Sequence, residues 1–271
     1  MSAAQKHLNK KAQINLGSFY TPDSLVEIVQ NLLKANVSSP NIWTVLDSSC
    51  GYGSFLSLNF GRRIIGSDLD KKAIEVAQKS NKKAEYFIGN SLFDINRKHF
   101  KIGEDEKLII VGNPPYNDTT SIIRNNIKDQ ESIKLVDKDV KTRDFGMSFL
   151  LSYNKLKADY VCVLHPLSYL IKKANFSLLK NFKDNYKLID GVIISSHEFS
   201  DTSKSMAFPI LIGLYERNEQ GMTYEYISNY KFKVKEGGYF QLSKFDSISN
   251  YVNKYPNKKY LSEGDKPVAK F

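Results

Sequence analysis

Apolar residues recur at helical spacing in the stretch that opens at Thr21-Pro22-Asp23. There Leu25, Ile28, Val29, Leu32 and Leu33 fall on one face, and a proline followed by an aspartate suits a helix start. Beyond the break at Ser38-Ser39-Pro40, residues 42–47 read as a short buried strand, then a glycine turn and a short helix over 54–59. Strand-like runs at 62–68 and 84–90 flank a helix over 71–80, and a strongly apolar strand covers 107–113. Residues 147–157 read as a helix, 158–166 as a buried strand and 168–182 as a further helix. The runs 188–195 and 207–217 pattern as an antiparallel hairpin joined by residues 197–206. Strands alternating with helices predict an α/β protein with a doubly wound, mostly parallel sheet. Such sheets bind ligands beyond the carboxyl ends of their strands, where Asp47, Asp68, Asn90 and Asn113 all fall.

Two stretches break this rhythm. Residues 1–13 are Lys-rich without periodicity, and 117–145 form a polar connection long enough to imply a functional loop. After Arg217 the composition turns to Tyr, Lys, Asn and Gly, with strand-like pieces at 223–228, 230–235 and 239–242. A boundary near 218 divides a larger unit, 1–217, from a small or partial region, 218–271.

Composition narrows the function. The 271 residues are 41% hydrophobic and 12% aromatic, which supports a sizeable core and excludes wholesale disorder. An excess of 39 Lys and Arg over 29 Asp and Glu gives +10, a charge that attracts nucleic acid or another polyanion. Cys50 and Cys162 are too few for a disulfide framework or a four-cysteine zinc site, so a reduced, cytoplasmic protein is expected. No apolar run suits a signal peptide or a membrane span. His7, His99, His165 and His197 lack metal-ligand spacing, and His165 reads as a core or capping residue.

The sharpest chemical signal is Asn113-Pro114-Pro115-Tyr116, directly after an apolar strand. Consecutive prolines stiffen the turn. A stiff turn can present the Asn113 amide oxygen and the Pro114 carbonyl as paired acceptors for both hydrogens of an exocyclic amino group. Tyr116 supplies a face on which a base can stack. A second signal is Asp47-Ser48-Ser49-Cys50-Gly51-Tyr52-Gly53, whose two glycines at a strand-to-helix turn let backbone approach a ligand. The third glycine of a dinucleotide fingerprint is missing, and no phosphate-loop Lys follows. Asp68 can accept hydrogen bonds from both hydroxyls of a ribose, whereas Asp70 reads as the cap of the helix at Lys71. A nucleoside without phosphates beside an amino-group clamp points to S-adenosylmethionine.

In this order and spacing the motifs resemble those of the adenine-N6 DNA methyltransferases of the gamma arrangement, over roughly residues 14–217. Leu16 to Pro22 resembles the N-terminal motif ending Tyr-Thr-Pro, which implies that Tyr20, Thr21 and Pro22 cradle the cofactor's methionine end. VLDSSCGYGSFL is similar to the Asp-Pro-x-Cys-Gly-x-Gly-x-Phe-Leu cofactor motif, implicating Asp47, Cys50, Gly51 and Gly53. IIGSDLDKKAIEVA is similar to the ribose-binding strand end at Asp68, and Asn90 stands where the family commonly has an Asp for the cofactor's adenine. VGNPPYN matches the catalytic motif in full, making Asn113, Pro114, Pro115 and Tyr116 the catalytic candidates. The resemblance further implies an aromatic against a flipped base, with Tyr215 and Phe199 as candidates, and a DNA-contacting lid over 117–145. A Rossmann-like S-adenosylmethionine-dependent methyltransferase sheet with a C-terminal hairpin and a small appendage is therefore expected. The resemblance implies that 1–217 is the catalytic and cofactor-binding unit and 218–271 a target-recognition or accessory region. The implied activity is methylation of adenine N6 in double-stranded DNA within a bacterial restriction-modification system. A cognate endonuclease or specificity partner, or a second copy of the chain, would be its protein partners. An RNA adenine, a protein glutamine amide, and a non-catalytic DNA-binding subunit are the alternatives.

Overall fold

The computed structural model describes residues 21–116, 135–199 and 207–245. Tyr20, most of the proposed lid and the tail from residue 246 lie outside the described residues. Helix α1 (Asp23–Asn36) buries Leu25, Val29, Leu32 and Leu33, the stripe that its spacing predicts. Strands β1 (Thr44–Asp47) and β2 (Arg63–Asp68) follow. Helix α2 (Lys71–Ser80) begins at Asp70, whose carboxylate accepts the Lys72 and Ala73 amides. Strand β3 (Glu85–Ile88) and strand β4 (Leu108–Gly112) lead to helix α3 (Phe145–Lys155) and strand β5 (Tyr160–Pro166).

Three short helices come next: α4 (Ser168–Ile171), α5 (Lys173–Leu178) and α6 (Lys180–Asn185). The single helix expected over 168–182 is thus broken. At 100° per residue, one straight helix would place Phe176 about 240° around from Leu170. The break at Lys172, which is extended, lets both bury. The hairpin expectation matches strands β6 (Tyr186–Ser195) and β7 (Pro209–Arg217). Residues 54–59 form only a 3-10 turn over Ser54–Ser57. The stretch read as a strand at 223–228 is helix α7 (Tyr224–Asn229), and strands β8 (Phe232–Val234) and β9 (Tyr239–Phe240) end the described chain.

These strands form one sheet in the order β3-β2-β1-β4-β5-β7-β6-β8-β9. Neighbours from β3 to β5 pair in parallel, and β7 runs antiparallel to both β5 and β6. The fold is therefore the mixed α/β sheet expected, mostly parallel with an antiparallel C-terminal hairpin. Every residue of β1 and β4 is buried, which explains their unbroken apolar runs, because helices cover both faces. Leu46, Ile110 and Val163 pack with α3 on one face, and Val45, Ile109 and Val111 pack with α1 on the other. The segment after Arg217 extends the same sheet through β8, which pairs in parallel with β6. Among the described residues no helix is long and apolar enough to cross a membrane.

Candidate active site

The carboxyl ends of β1, β2 and β4 meet at one edge of the sheet. In-register pairing sets Asp47 between Val111 of β4 and Gly66 of β2, so Asp47, Asp68 and Asn113 share this edge. Asp47 is 1% exposed, and its Oδ1 accepts the Ser49 amide at 3.1 Å. Burial, with the charge of Asp68 adding to it and the Ser49 bond opposing it, pushes the Asp47 carboxyl up to about 8. Gly112, at φ +149°, leaves the space that this carboxylate occupies, since a Cβ there would lie 2.9 Å from Oδ1.

The turn after β1 takes left-handed geometry at Gly51 and Gly53, as the two glycines require. The Gly51 amide donates to Asp68 Oδ2 at 2.8 Å, and the Asp70 amide donates to Oδ1 at 2.9 Å. Fixed in orientation by these amides, the carboxylate faces the edge where a ribose hydroxyl can reach it. Burial raises the Asp68 carboxyl and these amides oppose the rise. Cys50 supports the turn from below: its buried thiol, held neutral chiefly by burial, packs with Leu56, Ile74 and Ala77. The donor set fits S-adenosylmethionine: one carboxylate for a vicinal diol, another for a cation.

Strand β4 delivers Asn113 to the same edge. The Asn113 amide nitrogen donates to Thr21 Oγ1 at 3.3 Å, so the start of α1 orients the side chain that the catalytic motif contributes. Sequence reasoning assigned Thr21 to the cofactor and missed this contact. The opposite end of the amide, Oδ1, accepts the hydroxyl of Tyr116. Pro114 is buried and Pro115 half-buried between them, which is how the double proline keeps Asn113 and Tyr116 in one tight corner. Tyr116 packs against the apolar cluster that also contains Phe199 and Ile210.

The remaining candidates divide. Phe199 lies just past the carboxyl end of β6 and is buried in the cluster that Tyr116 touches. Asn90 lies at the outer end of the edge, where its amide caps its own turn at Leu92 (3.0 Å) and donates to Leu135 O (2.7 Å). Tyr215 is not at the cleft. It has no exposed surface, stacks edge-on against Phe182, and its hydroxyl sits 2.6 Å from His165 Nε2. Because Nδ1 of His165 faces the Pro166 carbonyl, an acceptor, Nδ1 carries the hydrogen and Nε2 receives the Tyr215 hydroxyl. Burial lowers His165 to about 4, so the pair is a neutral core device. Sequence reasoning also missed a polar group beneath the corner: Asp144, which caps α3 through the Met147 amide and accepts the Tyr169 hydroxyl.

The family model described as N-6 DNA Methylase matches residues 5–181. No curated protein sequence matches the chain. Among solved structures, the methyltransferase subunit of a type I restriction-modification system from Streptococcus thermophilus superposes with a TM-score of 0.52 at 14% identity. That match covers 88% of this chain and 54% of the other, so the chain spans about half the length of that subunit. A Listeria monocytogenes protein assigned as a class I S-adenosylmethionine-dependent methyltransferase gives a TM-score of 0.50 at 18% identity, covering 80% of this chain and 65% of the other. At such identities these two likenesses establish the fold alone.

Proposed function

Because the chain belongs to the N-6 DNA methylase family, it is an S-adenosylmethionine-dependent methyltransferase, and we propose that it methylates the N6 nitrogen of adenine in double-stranded DNA. The observation that carries this reading is the meeting of Thr21, Asp47 and Asn113 at one sheet edge, with Asn113 held by Thr21 and followed by a rigid double proline. The cofactor supplies an electrophilic methyl group on a positively charged sulfur. Asp68 and the Gly51 turn would hold its ribose, and Asp47 its cationic end.

The target base must leave the helix stack to reach this edge, at a cost of a few kcal/mol. Asn113 Oδ1 and the Pro114 carbonyl then accept the two hydrogens of its amino group. This draws the nitrogen lone pair out of the ring and turns it towards the methyl donor, with positioning supplying most of the acceleration. In the free protein Tyr116 donates to that same Oδ1, so the incoming amine displaces the phenol and the ring is released to stack on the base. Phe199, from the same cluster, is the aromatic that would support the base from the other side. Asn90, just past the end of β3, would serve the cofactor's adenine. By analogy with the type I restriction-modification subunit that it resembles, a specificity partner, a cognate endonuclease or a second copy would complete target recognition.

Replacing Asn113 with Ala tests the assignment. Methyl transfer to duplex DNA should fall by at least about 100-fold, while S-adenosylmethionine binding stays within about twofold. Undiminished turnover would remove Asn113 from the mechanism.

A further inference from the structure

The apolar row that β7 turns towards α1 runs out past the sheet. Ile212 and Ile210 alternate onto that face and are buried in the cluster that Tyr116 and Phe199 join. The same alternation brings the next member, Phe208, onto this face, yet Phe208 is 43% exposed. Register fixes where it stands. Gly112 is level with Val163 of β5, and Val163 with Gly213 of β7, so Asn113 is level with Ile212 and Phe208 lies four residues further out. At about 3.3 Å per residue and about 4.8 Å per strand, its Cα is about 13 Å beyond Asn113 and about 10 Å to the side. That side faces away from the cofactor residues. Leu69 and Ile88, also exposed, stand at β2 and β3 across the sheet, whereas β7 lies beyond β5. The position is rigid: the Phe208 amide donates to Ser196 Oγ and its carbonyl accepts the Ser196 amide, each at 3.0 Å. The following Pro209 has a fixed φ, and its carbonyl accepts the Leu167 amide at 3.0 Å.

This offset exceeds the length of an adenine base. Phe208 therefore does not touch a base held at Asn113 and instead meets the duplex that the base has left. Flipping leaves an unstacked gap, and an apolar side chain placed against the gap offsets part of the cost of opening it. We propose that Phe208 is a wedge that enters the base stack where the target adenine is flipped out. The inference rests on the reading of the chain as an adenine methyltransferase of duplex DNA.

The test uses the full chain, S-adenosylhomocysteine and a duplex centred on an adenine that the unmodified chain methylates in plasmid DNA. With 2-aminopurine in place of that adenine, fluorescence rises as the base leaves the stack. Phe208→Ala should cut the rise at least about fivefold, the scale of one lost base–aromatic stack, and Phe208→Trp should keep it. S-adenosylhomocysteine affinity and melting temperature should hold, since the ring is exposed and away from the cofactor edge. In turnover, kcat/KM of Phe208→Ala should fall by a similar factor on the paired duplex. It should fall by less than about twofold where the target adenine faces an abasic site, because that base is no longer held by pairing. An unchanged fluorescence rise in Phe208→Ala would overturn the proposal. So would equal losses on the two duplexes, the mark of a plain DNA contact. A lower melting temperature in both variants, with the fluorescence rise lost in both, would overturn it by making Phe208 structural. An unmodified chain that leaves DNA unmethylated removes the reading beneath the inference, and the inference with it.

Discussion

At Asp47 stability and binding pull in opposite directions. Its carboxyl rises from 3.8 to about 8 in the folded protein, so between those values the native state holds a proton that the unfolded chain has released. The stabilisation this gives is complete below pH about 4 and is lost as pH rises towards 8. The ligand-free protein should therefore melt at lower temperature at pH 8 than at pH 6, and Asp47→Asn should flatten that difference. A cation placed beside Asp47 favours the ionised form, so S-adenosylmethionine should bind more tightly as pH rises from 6 to 8, with proton release. Calorimetry in buffers of different ionisation enthalpy measures that proton directly; binding without it would exclude Asp47 as the cation's partner. The candidate corner stood out in the sequence because Asn113-Pro114-Pro115-Tyr116 combines rare stiffness with a strand end. The place of Tyr215 did not, because burial of one aromatic depends on what crosses above it, here Phe182 and His165.

Among elements, the sheet was easy to read where helices cover it on both sides and its strands become continuous apolar runs. Reading failed where local chemistry overrode alternation. Tyr224 and Tyr226 alternate with polar residues as a strand would, yet the Thr223 hydroxyl caps the Tyr226 amide and starts a helix. Both tyrosine hydroxyls then anchor that helix, Tyr224 to Ile171 O and Tyr226 to Leu188 O, each at 2.7 Å. A buried arginine does similar work at the amino ends of the strands. Arg97 is 6% exposed and donates to the carbonyls of Gly103, Glu104, Glu106, Leu156 and Lys157, joining the turn before β4 to the end of α3. Replacing it with Ala should destabilise the protein by roughly 3 kcal/mol, read as a lower urea midpoint, because several buried carbonyls lose their donor at once. Lys should fail to rescue, since one ammonium cannot reproduce the planar fork. A midpoint shift of under about 1 kcal/mol would show that water replaces the guanidinium.

Across the whole molecule the net charge is +10, an excess that attracts a polyanion. Lys71 and Lys72 at the start of α2, and Lys172 and Lys173 after β5, lie beyond the carboxyl ends of the strands and make no ion pair among the described residues. Duplex affinity should fall steeply with salt, and removing Lys172 and Lys173 together should reduce the logarithmic slope by about 2 without altering cofactor binding. An unchanged slope would move the DNA path elsewhere on the surface. The substrate itself is decided most directly by incubating the chain with methyl-labelled S-adenosylmethionine and duplex DNA, then resolving the digested nucleosides by mass spectrometry. The account predicts label in N6-methyl-2′-deoxyadenosine from the DNA, absent with Asn113→Ala; label confined to RNA or to a protein glutamine, or surviving in that variant, would contradict it.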